Sequence, residues 1–181
     1  MKLKLSDVKK KLKEYDQKEL IQLISELYKN SKEVQTYMDV RLRGDDAVDD
    51  LFTQTKKKIK DEFFPDRGHG KLRLSQAKKS ISEFEKMTGD KFKKTELMLY
   101  YVEQGVEFTN SFGDIDESFY NSMVSMYEKV TSVCAREEEY YHALADRLLR
   151  VVTDTEDIGW GFPDALAYLY YDMGYIEEED E

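Results

Sequence analysis

At 181 residues, with one cysteine, two prolines and nine glycines, the chain has the length of one ordinary domain and can bury a core without disulfides or structural metal. Its 36% charged content stands well above the roughly 25% of an average domain, while 40% hydrophobic and 13% aromatic residues exclude compositional disorder. A lone Cys134 excludes a stapled secreted scaffold, and the longest apolar run, Ala165 to Tyr171, falls far short of the ~20 residues that span a bilayer.

Taken in chain order, apolar residues recur at helical spacing almost throughout. Ser6 is expected to cap a short first helix carrying Val8 and Leu12. Asp16 with Glu19 three residues on is a capping-box pattern, and the helix behind it is expected to bury the stripe Leu20, Leu23, Ile24 and Leu27. A third helix follows Ser31 and stops at Gly44; a fourth runs from about Asp46 to the Phe63-Phe64-Pro65 break. Beyond the irregular stretch Pro65 to Leu74, Ser75 is expected to cap a helix through Ala77, Ile81, Phe84 and Met87. Gly89-Asp90 turns the chain into a longer helix that Gly113 closes, and Asp114 is expected to open the next, with Tyr120, Met123, Tyr127, Val130 and Cys134 on one face. A helix through Tyr141, Leu144 and Leu148 follows, then the turn Gly159-Trp-Gly-Phe-Pro163 and a last helix that Pro163 can begin.

No stretch alternates as a half-buried strand does. The fold class is therefore all-α, an irregular bundle or α-α stack of about eight or nine helices. Texture and charge change near the Gly-containing stretch. This suggests a basic N-terminal helical lobe at 1–64, a basic loop at 65–75, an acidic Tyr-rich bundle at 76–176 packed on the first lobe, and an acidic tail at 177–181.

The net charge of −10 is divided unequally: residues 1–80 carry +6 and residues 81–181 carry −16. The basic half can attract a nucleic-acid backbone and the acidic half would repel it. Solvated helix faces and a solubilising tail account for the same numbers.

The words Lys2-Leu-Lys-Leu-Ser6, Glu62-Phe-Phe-Pro-Asp-Arg-Gly-His-Gly-Lys-Leu-Arg-Leu-Ser75, Tyr100-Tyr-Val-Glu-Gln-Gly-Val-Glu-Phe-Thr-Asn110, Gly113-Asp-Ile-Asp-Glu117 and Asp157-Ile-Gly-Trp-Gly-Phe162 stand out against this periodic background. Together they resemble an uncharacterised bacterial family, domain of unknown function 6155, over nearly the whole chain. The resemblance implies a small cytoplasmic helical bacterial protein and supplies no activity, substrate or catalytic residue. Pro163 stands where relatives would be expected to carry a His.

Within the loop, two glycines let successive N–H groups converge on one anion, with Arg67, His69, Lys71 and Arg73 beside them and Ser75 near a helix N-terminus. It is not a P-loop, since Pro65 and Leu72 stand where Gly and Ser or Thr are needed. The alternative is a connector whose basic residues pair with Asp61, Glu62 or the acidic half.

Glu138, His142 and Asp146 share one helical face and are the metal-ligand candidates, although a second helix would have to complete a shell. The favoured reading of these three is an exposed charged face. Asp114-Ile-Asp-Glu117 lacks the glycine and the later glutamate of a calcium loop. Cys134 sits in apolar company and reads as core. Trp160, between two glycines, is expected to plug the core, a contact surface being the other reading. Ten of the 13 tyrosines lie from Tyr100 onward, as at interfaces and ligand clefts.

These features point to a non-enzymatic macromolecule-binding or adaptor module with a protein partner and no cofactor, cytoplasmic and away from membranes. The alternatives are anion or nucleic-acid backbone binding at Arg67–Ser75 and a metal-dependent hydrolase at Glu138, His142 and Asp146.

Overall fold

The computed structural model describes residues 2–175; the acidic tail at 177–181 lies outside them. Nine helices and no strand are found among the described residues. The chain divides into two compact units, Met1–Val48 and Asp49–Glu181, so the loop at 65–75 lies inside the second.

The first unit holds α1 (Leu5–Leu12), α2 (Gln17–Asn30) and α3 (Lys32–Arg43). Asp16 and Glu19 form the reciprocal capping box, Ser31 caps α3 by accepting from the Val34 N–H, and Gly44 ends it at a φ of 66°. Ser6 does not cap α1: Lys4 holds that position, with no side-chain bond. α2 pairs with α3, yet none of the three helices buries a residue. The expected α2 stripe is therefore only half covered. Leu20 and Leu23 are half-buried, while Ile24 and Leu27 stand 44% and 51% exposed with Ile21 and Tyr28 beside them. A unit of this length cannot enclose four-residue stripes from several helices at once.

α4 (Asp45–Phe63) begins in the first unit and runs on into the second. There α5 (Leu74–Thr88), α6 (Lys91–Phe112), α7 (Glu117–Cys134), α8 (Glu138–Thr153) and α9 (Phe162–Tyr171) complete the bundle. α6 is the axis. It packs on α5, α7 and α8, and buries Leu97, Leu99, Tyr101, Val102, Val106 and Phe108. α9 closes the bundle against α7 and α8. Gly105 permits the tight crossing of α6 and α7, because a Cβ there would overlap the Met123 sulfur. Cys134 is fully buried, as its apolar company suggested, and burial pushes its thiol up to about 11.

Two caps of the second unit also differ from expectation. Arg73, not Ser75, precedes α5, leaving Ser75 exposed in the first turn. Asp116, not Asp114, caps α7 by accepting from the Phe119 N–H. In both cases a nearer polar residue fitted the sequence pattern, but the approach of the preceding loop decides where helical backbone begins.

Candidate functional site

Three connections meet at one end of the second unit. The first, 64–73, follows α4 and is tied down from beneath. The Leu72 N–H donates to the Glu62 carbonyl at 2.9 Å. Gly70 lies so close to the Phe63 carbonyl that a Cβ would overlap its oxygen. Arg73 grips the buried Glu62 carboxylate through Nε at 3.0 Å and Nη2 at 2.8 Å, and its own N–H adds a third bond at 3.2 Å. That bidentate contact holds the Arg73 guanidinium above its ordinary range, through the hydrogen bonds first and the charge second. Leu72 is left at a φ of 49°, a left-handed conformation that branched side chains resist.

The second connection, 113–116, is fastened by one side chain. The Tyr120 hydroxyl accepts from the Ile115 N–H at 3.3 Å, donates to Asp114 Oδ1 at 3.3 Å and lies 2.8 Å from Thr109 Oγ1. The third, 158–161, runs alongside: a Cβ on Gly159 would stand 3.6 Å from Asp114 Oδ2. Trp160 there has a φ of 65° and is 62% exposed. It does not plug the core; Phe162, 1% exposed, takes that place. Trp160 instead lies nearly parallel to the Tyr120 ring, at 6.4 Å and 28°. Leu72 and Trp160 are the two non-glycine residues with positive φ among those described, and both sit at this end.

Between the first two connections opens a cleft of about 430 Å³. Phe63 and Phe108, buried, form its floor; Phe64, Phe112, Leu72 and Ile115 form its walls. The rings are in mutual contact, Phe108 with Phe112 at 4.7 Å and Phe64 with Phe108 at 5.7 Å. Phe112, the last residue of α6, remains 62% exposed. Its neighbour recess, about 480 Å³, is polar and lined by Arg67, Lys71, Arg73, Lys57 and Asp66, with His69 shared by both.

The structure thus gathers Arg67, His69, Lys71 and Arg73 along one rim, but it does not leave them equivalent. Arg73 is committed to Glu62. Lys57 is committed to Asp61 at 3.1 Å and Asp66 at 2.9 Å, and its hydrogen bond holds the Asp66 carboxyl below the usual range. Arg67 and Lys71 are exposed, with no carboxylate partner among the described residues. Ser75 lines neither recess. Phe63, Phe64, Phe112 and Ile115 were not legible as a site, because these side chains come together across 48 or more residues of sequence. The aromatic doublet before Pro65 and an aromatic at a helix end were the available signals.

Glu138, His142 and Asp146 do not assemble a metal centre. His142 Nε2 lies 3.4 Å from Glu138 Oε1, both exposed, and no group of three or more His, Cys, Asp or Glu among the described residues is placed to hold a metal. No helix among them is long and apolar enough to cross a membrane.

The fold and the loop end define an all-α protein that carries an aromatic cleft with a basic rim. The chain belongs to a family of unknown function, DUF6155, whose model matches residues 3–164. No curated protein and no solved structure matches it.

Proposed function

We propose that this protein is a non-enzymatic macromolecule-binding module of the adaptor kind, docking a partner protein at the loop end of its second unit. The observation that carries this reading is the pair of exposed rings, Phe112 at the end of α6 and Trp160 on the third connection, beside a loop end held by internal bonds. Large apolar side chains left in water on a rigid frame bind at low entropic cost. Strained positions such as Leu72 and Trp160 persist where surrounding structure over-determines them, and they concentrate at binding sites. The open α2 face in the first unit, Ile21, Ile24, Leu27 and Tyr28, supports a second contact of the same kind.

The test is crosslinking from a photoreactive side chain at position 112, compared with one at position 149, which is 42% exposed and lies outside the cleft. A discrete protein adduct at 112 that disappears with Trp160→Ser supports the reading. Equal, diffuse adducts from both positions would remove it.

A second reading, anion or nucleic-acid backbone binding at Arg67 and Lys71, is favoured by the absence of carboxylate partners for these two. Its signature is affinity for single-stranded RNA or DNA that falls steeply with salt. Affinity indifferent to salt would exclude it.

A further inference from the structure

We infer that the cleft between 64–72 and 108–115 takes a short acidic segment of a partner protein: one bulky apolar side chain seated among the phenylalanines, with a carboxylate beside it on Arg67 and Lys71. This rests on the reading of the loop end as a docking surface and adds the chemistry of the occupant.

Three observations set that chemistry. The recess is apolar to its floor, since Phe63 and Phe108 are buried beneath Phe64, Phe112, Leu72 and Ile115. A side chain entering it removes both its own apolar surface and the exposed face of Phe112 from water, the pattern of an interface anchor. The rim then sorts by charge. Lys57 and Arg73 are already neutralised, by Asp61 with Asp66 and by Glu62, so Arg67 and Lys71 are the cations with charge to offer. Both are exposed beside His69, which lines the apolar and polar recesses alike. A segment whose anchor enters the cleft therefore places its neighbouring residue over these two.

The surrounding charge distinguishes a peptide from a polyanion. The described residues 49–175 carry a net −7, and Asp114 and Asp116 lie on the connection that supplies Ile115. Each further phosphate of a nucleic acid would meet this field, whereas one or two carboxylates next to the anchor need only the local pair of cations.

The experiment uses the full chain and three labelled synthetic peptides: a Trp anchor flanked by Glu, the same anchor flanked by Lys, and the Glu peptide with Ala at the anchor. Binding is read by fluorescence anisotropy. The Glu-flanked Trp peptide is expected to bind about tenfold tighter than either control. Phe112→Ala and Arg67→Glu/Lys71→Glu, all at exposed positions, are each expected to weaken it about tenfold with unchanged circular dichroism. Equal or tighter binding of the Lys-flanked peptide overturns the proposal, as does binding that both variants leave untouched. Displacement of the acidic peptide by a single-stranded oligonucleotide overturns it in favour of nucleic acid. If no peptide binds while the Trp160-dependent crosslink from position 112 persists, the acidic occupant is overturned and the docking surface stands; if that crosslink is absent as well, both fall.

Discussion

Arg73 and Glu62, eleven positions apart, form a two-pronged contact at 2.8 and 3.0 Å, and the Arg73 N–H closes a third bond at 3.2 Å on the same carboxylate. The pair links the last turn of α4 to the first residue before α5, so the loop between them leaves and returns at one point. A basic residue that looks like a ligand hook is thus a structural clasp. The unspent charges are displaced onto Arg67 and Lys71.

Breaking that clasp from the buried side is expected to loosen the loop. Glu62→Ala removes all three bonds and is expected to cost about 1–3 kcal/mol of unfolding free energy, measured by urea titration. Arg73→Lys, which cannot make the forked contact, is expected to lower the midpoint in the same direction. Unchanged midpoints in both variants would show that the loop holds without the clasp.

Two glycines in the same loop are expected to behave differently on substitution. Gly70→Ala would drive a methyl group into the Phe63 carbonyl, backbone that cannot step aside, and is expected to destabilise by about 3 kcal/mol. Gly68, at a φ of 80° but facing open space, is expected to lose only about 1 kcal/mol as Ala. Thermal unfolding of the two variants orders them; the reverse order would contradict the close approach.

Trp160 is the single tryptophan of the chain and 62% exposed, so its emission reports directly on the loop end. The free protein is expected to show a red-shifted maximum and ready quenching by acrylamide. A blue, protected emission from the unliganded protein would contradict the exposed ring.

Alkaline pH is expected to weaken the fold. Burial pushes the Cys134 thiol from its ordinary 9.0 up to about 11, and the Tyr101 and Tyr170 hydroxyls from 10.0 up to about 12. Each group holds its proton more tightly folded than unfolded, so the stabilisation is complete below about pH 9 and is lost as pH rises through 9 to 12. The melting temperature should therefore stay level to about pH 9 and then fall. The same burial predicts that iodoacetamide labels Cys134 at pH 8 only as fast as the protein opens. A melting temperature that climbs between pH 9 and 11 would contradict the sign.

Much of the local architecture is written in short stretches of sequence. The capping box at Asp16 and Glu19, the Ser31 cap, the stops at Gly44, Gly89 and Gly113, and the buried face of Tyr120, Met123, Tyr127, Val130 and Cys134 follow from residues within one or two helical turns of one another. Helical periodicity and capping are local physics, and the all-α class follows from them.

What only the tertiary structure decided concerns which side of a helix finds a partner and which charge is already spent. Ile24 and Leu27 carry the same apolar signal as Leu97 and Leu99, yet the first pair stands in water and the second is buried on the bundle axis. Arg73 and Lys71 read alike in sequence, but Glu62 lies beneath only one of them. Trp160 and Phe162 share a turn, and the Tyr120 ring leaves one outside and admits the other. Burial and pairing depend on residues beyond the local helical turn, eleven positions away for Arg73 and Glu62 and 40 for Trp160 and Tyr120, and a single sequence carries no record of those distances until the chain has folded.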